Sequence, residues 1–108
     1  MLDFSKIEFS DAEIRSIATQ GPNLVVCYDN WQKASQKIIF EEAISYQSFS
    51  PENSALSHGR IRIQDSFIAH SCRVCEEENS EAFKVFSFVS AWNNEEILIV
   101  VAKNVTAG

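Results

Sequence analysis

The segment from residue 84 to residue 103 constrains this chain more than any other. Residues 84–92, with Val85, Phe86, Phe88 and Val89 among them, read as a strand. Asn93, Asn94 and Glu95 form a hairpin turn, and residues 96–103 make a second strand. In that second strand Ile97, Leu98, Ile99, Val100 and Val101 follow one another without a polar break. Both of its faces therefore reject water, so it belongs in the middle of a sheet, with a helix or another sheet covering it. The run is also far too short for a membrane-spanning helix, which needs roughly 20 apolar residues.

The rest of the chain supplies partners for that hairpin. Residues 13–18 are ambiguous in period, but Gln20, Gly21, Pro22 and Asn23 end them in a turn before the apolar segment 24–28, which suggests a strand pair. Residues 29–33 read as the next turn. Segments 37–40 and 43–49, separated by Glu41 and Glu42, then continue a meander of three or four strands. From Ser50 through Ser54 and on to Ser57, His58 and Gly59 the composition is that of a surface loop. After residues 60–63, Asp65 or Ser66 is placed to cap a helix with Phe67, Ile68, Cys72 and Cys75 on one side. Strand alternation through Ile68, His70, Cys72 and Val74 competes with that helix. The expected fold is α+β: one domain over residues 1–108, a mostly antiparallel twisted sheet of about six strands, and one short helix.

With 108 residues, 45% of them hydrophobic, and eight Phe, the chain can bury a core without a metal or disulfide staple. Three cysteines, Cys27, Cys72 and Cys75, are sparse and odd in number, which suits a reducing compartment. The opening residues have no basic start and no long apolar stretch, so a cytoplasmic protein is expected.

Charge excludes some partners. Fifteen acidic residues against nine basic ones give −6, which disfavours nucleic acid and anionic membranes, since both are bound through Lys and Arg. His70, Cys72 and Cys75 are metal-ligand types, but a structural zinc site needs four ligands, and Cys27 and His58 are isolated from the group. No cofactor or metal is expected. The chain has no clustered glycines to cradle phosphate, no nucleophile elbow around any serine, and no spacing that joins His58 to His70, so no enzyme activity is expected.

What remains is acidity in runs: Glu41 with Glu42, then Glu76, Glu77 and Glu78 with Glu81, and Glu95 with Glu96. Such runs usually mark a solvated face. They can also imitate phosphate and dock into the basic cleft of a nuclease, where complementary charge speeds association. Trp31, in a turn beside Asp29, offers an aromatic anchor, although a Trp packed over a sheet edge is the commoner arrangement. The candidate partner-binding residues are thus Asp29, Trp31, Glu41, Glu42, Glu76, Glu77, Glu78 and Glu81.

Three segments carry a likeness to a known group. They are Phe9 to Ile14, the run of Tyr28, Asp29, Asn30 and Trp31, and Phe86 to Trp92 ahead of the apolar strand that ends at Lys103. In these the chain resembles small bacterial immunity proteins encoded beside polymorphic or contact-dependent growth inhibition toxins. The resemblance implies a protein that stays in the cytoplasm and binds and neutralises a cognate toxin domain without catalysis. The −6 charge adds the expectation that this toxin is a basic nuclease. A cytosolic adaptor or small oligomeric binding module without a toxin partner is the alternative.

Overall fold

In the computed structural model, which describes residues 3–49, 55–63 and 66–108, the closing hairpin forms as expected. Its strands are β6 (Lys84–Ser90) and β7 (Glu96–Ala102), paired antiparallel. They are the inner pair of a four-stranded sheet completed by β4 (Ser45–Ser48) beside β7 and β5 (Leu56–Arg62) beside β6. The other four-stranded sheet, the first in chain order, runs β1 (Glu13–Gln20), β2 (Asn23–Asp29), β3 (Ser35–Glu41), β8 (Asn104–Ala107). All pairings are antiparallel. The α+β class holds, with eight strands in two sheets among the described residues rather than about six in one.

The two faces of β7 find two different covers. Leu98, Val100 and Ala102 turn toward the β1–β2–β3–β8 sheet, in one buried cluster with Leu24, Val26, Ile38 and Phe40. On the opposite face Val101 and Val85 pack with Phe83 against Ile68 and Cys72 of α1 (Ser66–Val74). The alternation in β2 is equally clear: Leu24, Val26 and Tyr28 are buried, and the residues between them are half-buried.

Phenylalanine rings fill the space between the sheets. Phe4, carried in by a short 3-10 turn (Phe4–Lys6), stands with its ring 5.3–5.8 Å from those of Phe9, Phe40, Phe86 and Phe88, mostly edge to face. Gly59 on β5 makes room for it: a Cβ there would lie 2.6 Å from the Phe4 ring and 3.0 Å from that of Phe9. This corrects the sequence reading, in which Ser57, His58 and Gly59 belonged to a loop. They lie within β5, where Gly59 faces Phe88 across the ladder. The core of that expected loop, residues 50–54, lies outside the described residues.

Other expectations change for local reasons. The meander stops at three strands, because Glu42, with φ at 51°, turns the chain out of the first sheet. Ile44 then donates its amide to the Val101 carbonyl at 3.0 Å, which puts β4 on the edge of the other sheet. Helix α1 replaces the strand alternative. Ser66 is its first residue rather than its cap, and Asp65 is outside the described residues. Ile68 and Cys72 are buried as expected, whereas Cys75 falls beyond the helix and is exposed. The end of α1 is closed by two bonds, from the Glu77 amide to the Cys72 carbonyl and from the Glu76 amide to the Arg73 carbonyl, with Glu76 left-handed at φ 56°.

Among the described residues no helix is long and apolar enough to cross a membrane. We predict that Gly59→Ala destabilises the protein by roughly 1–3 kcal/mol, lowering its melting temperature by roughly 4–12 °C, because both rings in its way are buried. A thermal melt that leaves the midpoint unchanged would show that the Phe4 ring is not locked against β5.

Candidate protein-binding surface

The sequence candidates separate into two groups at opposite ends of the sandwich. Residues 24 to 29 of β2 pair with residues 40 back to 35 of β3, so Asp29 and Glu41 sit at opposite ends of these strands, on the order of 20 Å apart. Glu41, Glu42, Glu76, Glu77, Glu78 and Glu81 gather toward the end where β7 passes into β8. There the Lys103 amide donates to the Glu41 carbonyl and the Lys103 ammonium lies 3.4 Å from Glu42. The same ammonium stands 5.5 Å from the centre of the Phe83 ring, which follows the 3-10 turn containing Glu81. The Cys75 thiol donates to the Ile44 carbonyl at 3.3 Å, which brings the Glu76 run close to Glu42. Glutamates predominate at this end, with Lys103 among them and Lys84 beside Glu81.

Asp29 and Trp31 occupy the other end, with an aromatic residue that sequence reasoning did not single out. Trp31 is 59% exposed on the β2–β3 hairpin, and Trp92 is 84% exposed on the β6–β7 hairpin. A continuous set of contacts joins the two loops. Trp31 lines a shallow depression with Glu8, Ser10 and Asp11. The Asp11 amide donates to the Leu56 carbonyl at 3.0 Å, and Ala91, next to Trp92, donates its amide to the Ala55 carbonyl at 3.0 Å. Trp92 went unnoticed because it ends an apolar run and so resembles the last residue of a strand; β6 in fact stops at Ser90.

Both tryptophans sit on loops held by an asparagine side chain. The Asn30 carboxamide oxygen accepts from the amides of Gln32 at 3.0 Å and Ala34 at 2.9 Å, so the loop around Trp31 is closed from inside. In the other loop Asn93 accepts from the Glu95 amide at 3.1 Å, and Ser90 Oγ accepts from the Trp92 amide at 3.1 Å. A fixed loop loses little conformational freedom when its side chain is buried by a partner. Around these rings stand the exposed carboxylates of Glu8, Asp11 and Glu95. Asp29 is partly neutralised by Arg15, whose Nε lies 2.6 Å from it, and Arg15 also reaches Glu13 at 3.3 Å.

Among the described residues the histidines and cysteines do not converge on one site. His70 is exposed on α1 beside Arg73, His58 is exposed on β5, and Cys27 is on β2. Burial, with smaller contributions from Glu77 and Cys75, pushes the Cys72 thiol above its ordinary value, which keeps it protonated. Among the described residues no three His, Cys, Asp or Glu side chains are grouped to hold a metal. The part of the β5–β6–β7 face outside α1 carries a polar network instead. Glu96 accepts from Arg62 and from the buried Ser87 hydroxyl, with Arg60 3.7 Å away. Burial opposes ionisation of Glu96, but the bonds from Arg62 and Ser87 and the charges of Arg62 and Arg60 prevail, and hold its carboxyl below the ordinary 4.5.

No protein-family model, curated protein or solved structure matches the chain.

A lowered carboxyl value in the folded state stabilises the fold fully above the ordinary value and is lost as pH falls through the lowered one. Wild-type protein is therefore expected to lose its stability advantage over Glu96→Gln as pH falls from above the ordinary carboxyl value down through the lowered one. Paired denaturant melts across that range test this; a constant difference between the two proteins would mean that the charge of Glu96 contributes nothing.

Proposed function

We propose that this chain is a non-catalytic protein-binding domain that neutralises a cognate bacterial toxin domain, and that the end bearing Trp31 and Trp92 is its principal contact surface. The observation that carries this reading is the pair of exposed tryptophans, each on a loop fixed by hydrogen bonds, amid exposed carboxylates. Exposed aromatic side chains of this size are costly in water and are the commonest anchors of protein interfaces. Their placement on rigid loops resembles an interface formed in advance of binding. The surrounding carboxylates, with the −6 charge, favour a basic partner such as a nuclease. The likeness to immunity proteins in the segments around Trp31 and Trp92 supports the same reading, and a cytoplasmic site of action goes with it.

The acidic end holding Glu41, Glu42, Glu76, Glu77, Glu78 and Glu81 has a different role here. It supplies long-range attraction that raises the association rate, and its effect fades as salt shortens the screening length.

The test is co-expression with the C-terminal domain of the protein encoded immediately upstream, scored by rescue of growth and co-purification. The expected result is a stable one-to-one complex. Trp31→Ala and Trp92→Ala should each weaken it by about 30-fold or more, as interface hot spots do, while leaving the melting temperature nearly unchanged. Healthy cells in the absence of this protein, or no complex, would overturn the toxin reading. Full affinity in both Trp variants, with loss on reversing Glu77 and Glu78, would move the contact to the acidic end.

A further inference from the structure

We propose that the outer edge of β4, unpaired among the described residues, is a strand-addition site, taking an extended segment of a partner protein that runs antiparallel to β4, alternates apolar side chains and is basic at its C-terminal end. The proposal goes beyond the toxin-binding reading and stands or falls separately from it.

The backbone provides the template. Among the described residues β4 pairs only with β7, in the register Ser45 with Val101 through Ser48 with Leu98. The next pair is hydrogen-bonded, since the Phe49 amide donates to the Ile97 carbonyl at 2.9 Å. Hydrogen-bonded and non-bonded pairs alternate along an antiparallel ladder, so Ser45 and Gln47 bond to β7 while the amides and carbonyls of Tyr46 and Ser48 point away from it. Among the described residues no bond reaches those outward groups. A backbone edge of this kind is what a pairing strand requires, and proteins normally cover or charge it.

Grooves on both sides of the edge would receive the side chains. One, of about 500 Å³, lies between β4 and α1 and is lined by Ile44, Gln47, Phe67, His70, Val74 and Cys75. The other, of about 400 Å³, lies on the opposite side of the strand, between Tyr46 and the Gly21–Pro22 turn. Side chains of an added strand project alternately to its two faces, one set into each groove. Tyr46, Phe49 and Val74, three of the large apolar residues left exposed, border the edge.

Charge sets the direction. The C-terminus of α1 reaches the Ser45 end of β4, where Ser45 and Ser71 hydroxyls lie 2.6 Å apart. Glu76, Glu77 and Glu78 follow directly, and Glu42 is close by through Ile44. Arg73 in the last turn of α1 and Lys103 beside Glu42 offset part of this charge, while the negative end of the helix dipole adds to the carboxylates. An antiparallel segment ends over Ser45, so its C-terminal residues meet this negative cluster.

The probe is a synthetic peptide of about eight residues, alternating valine and threonine and closing with a pair of lysines. Binding is read by NMR as amide hydrogen exchange in the intact protein. We expect the Tyr46 and Ser48 amides to slow by about tenfold or more when the peptide is bound, while the already bonded Gln47 amide changes little. Moving the lysines to the N-terminus should weaken binding several-fold. Ser48→Pro removes an outward amide without touching the β7 ladder and should abolish the protection at Tyr46, whereas Ser48→Ala keeps it. Should the proline variant not fold, Glu77→Lys with Glu78→Lys should weaken the lysine peptide and leave a lysine-free version unaffected. Unchanged exchange at Tyr46 and Ser48, protection elsewhere, or concentration-dependent pairing of two copies through β4 in place of peptide binding would each overturn the proposal. None of these outcomes bears on the tryptophan surface, whose failure is read separately in the toxin co-expression.

Discussion

The close approach of Phe4 to Gly59 governs the interior. One ring, delivered by a short turn before the first strand, touches aromatic side chains from both sheets, and only a residue without a side chain leaves β5 able to pass behind it. Edge-to-face contacts orient the rings against one another as well as filling volume. That arrangement sets the spacing of the sheets and, through β5 and the 3-10 turn, holds the N-terminal segment against the second sheet. Residues 7–12 then run to the end where Trp31 and Trp92 stand, so the candidate surface inherits its shape from this packing.

Much of the fold was legible where apolar residues follow a simple period. The closing hairpin, the strand through Val26 and the turn around Asn30 were all readable, because each signal is local. The division into two sheets was not, because it depends on where β4 pairs. Its residues, Ser45, Tyr46, Gln47 and Ser48, form a weak alternation that fits either sheet, and the choice is made by Val101, more than fifty positions away in sequence. Gly59 misled for a different reason. A glycine beside histidine and serine signals a loop, whereas here its missing Cβ is space taken by a ring from the other end of the chain.

The candidate surface was half legible. Trp31 stood out because it lies in a turn between two strands, and its exposure agrees with that reading. Trp92 followed an apolar run and passed as its last residue. The glutamate runs were visible as charge but not as position, and the register separates them from Asp29 and Trp31. In sequence Glu96 reads as the plain partner of Glu95, yet it lies among Arg60, Arg62 and Ser87 on a sheet face, where it accepts from the half-buried Arg62 and the buried Ser87.

The passage of the chain from β7 through Lys103 into β8 has a consequence for how the molecule assembles. β8 pairs with β3, joining residues 104–107 to residues 38–41, so completing the first sheet closes a loop of about sixty residues that contains the whole of the second. Closing a loop of that length costs entropy before any contact repays it, and sandwiches rich in such distant pairings fold in milliseconds to seconds, well behind helical bundles. Until then the edge of β3, with Ile38 and Phe40 on one face, stays open to other chains. During folding, this edge is open to aggregation.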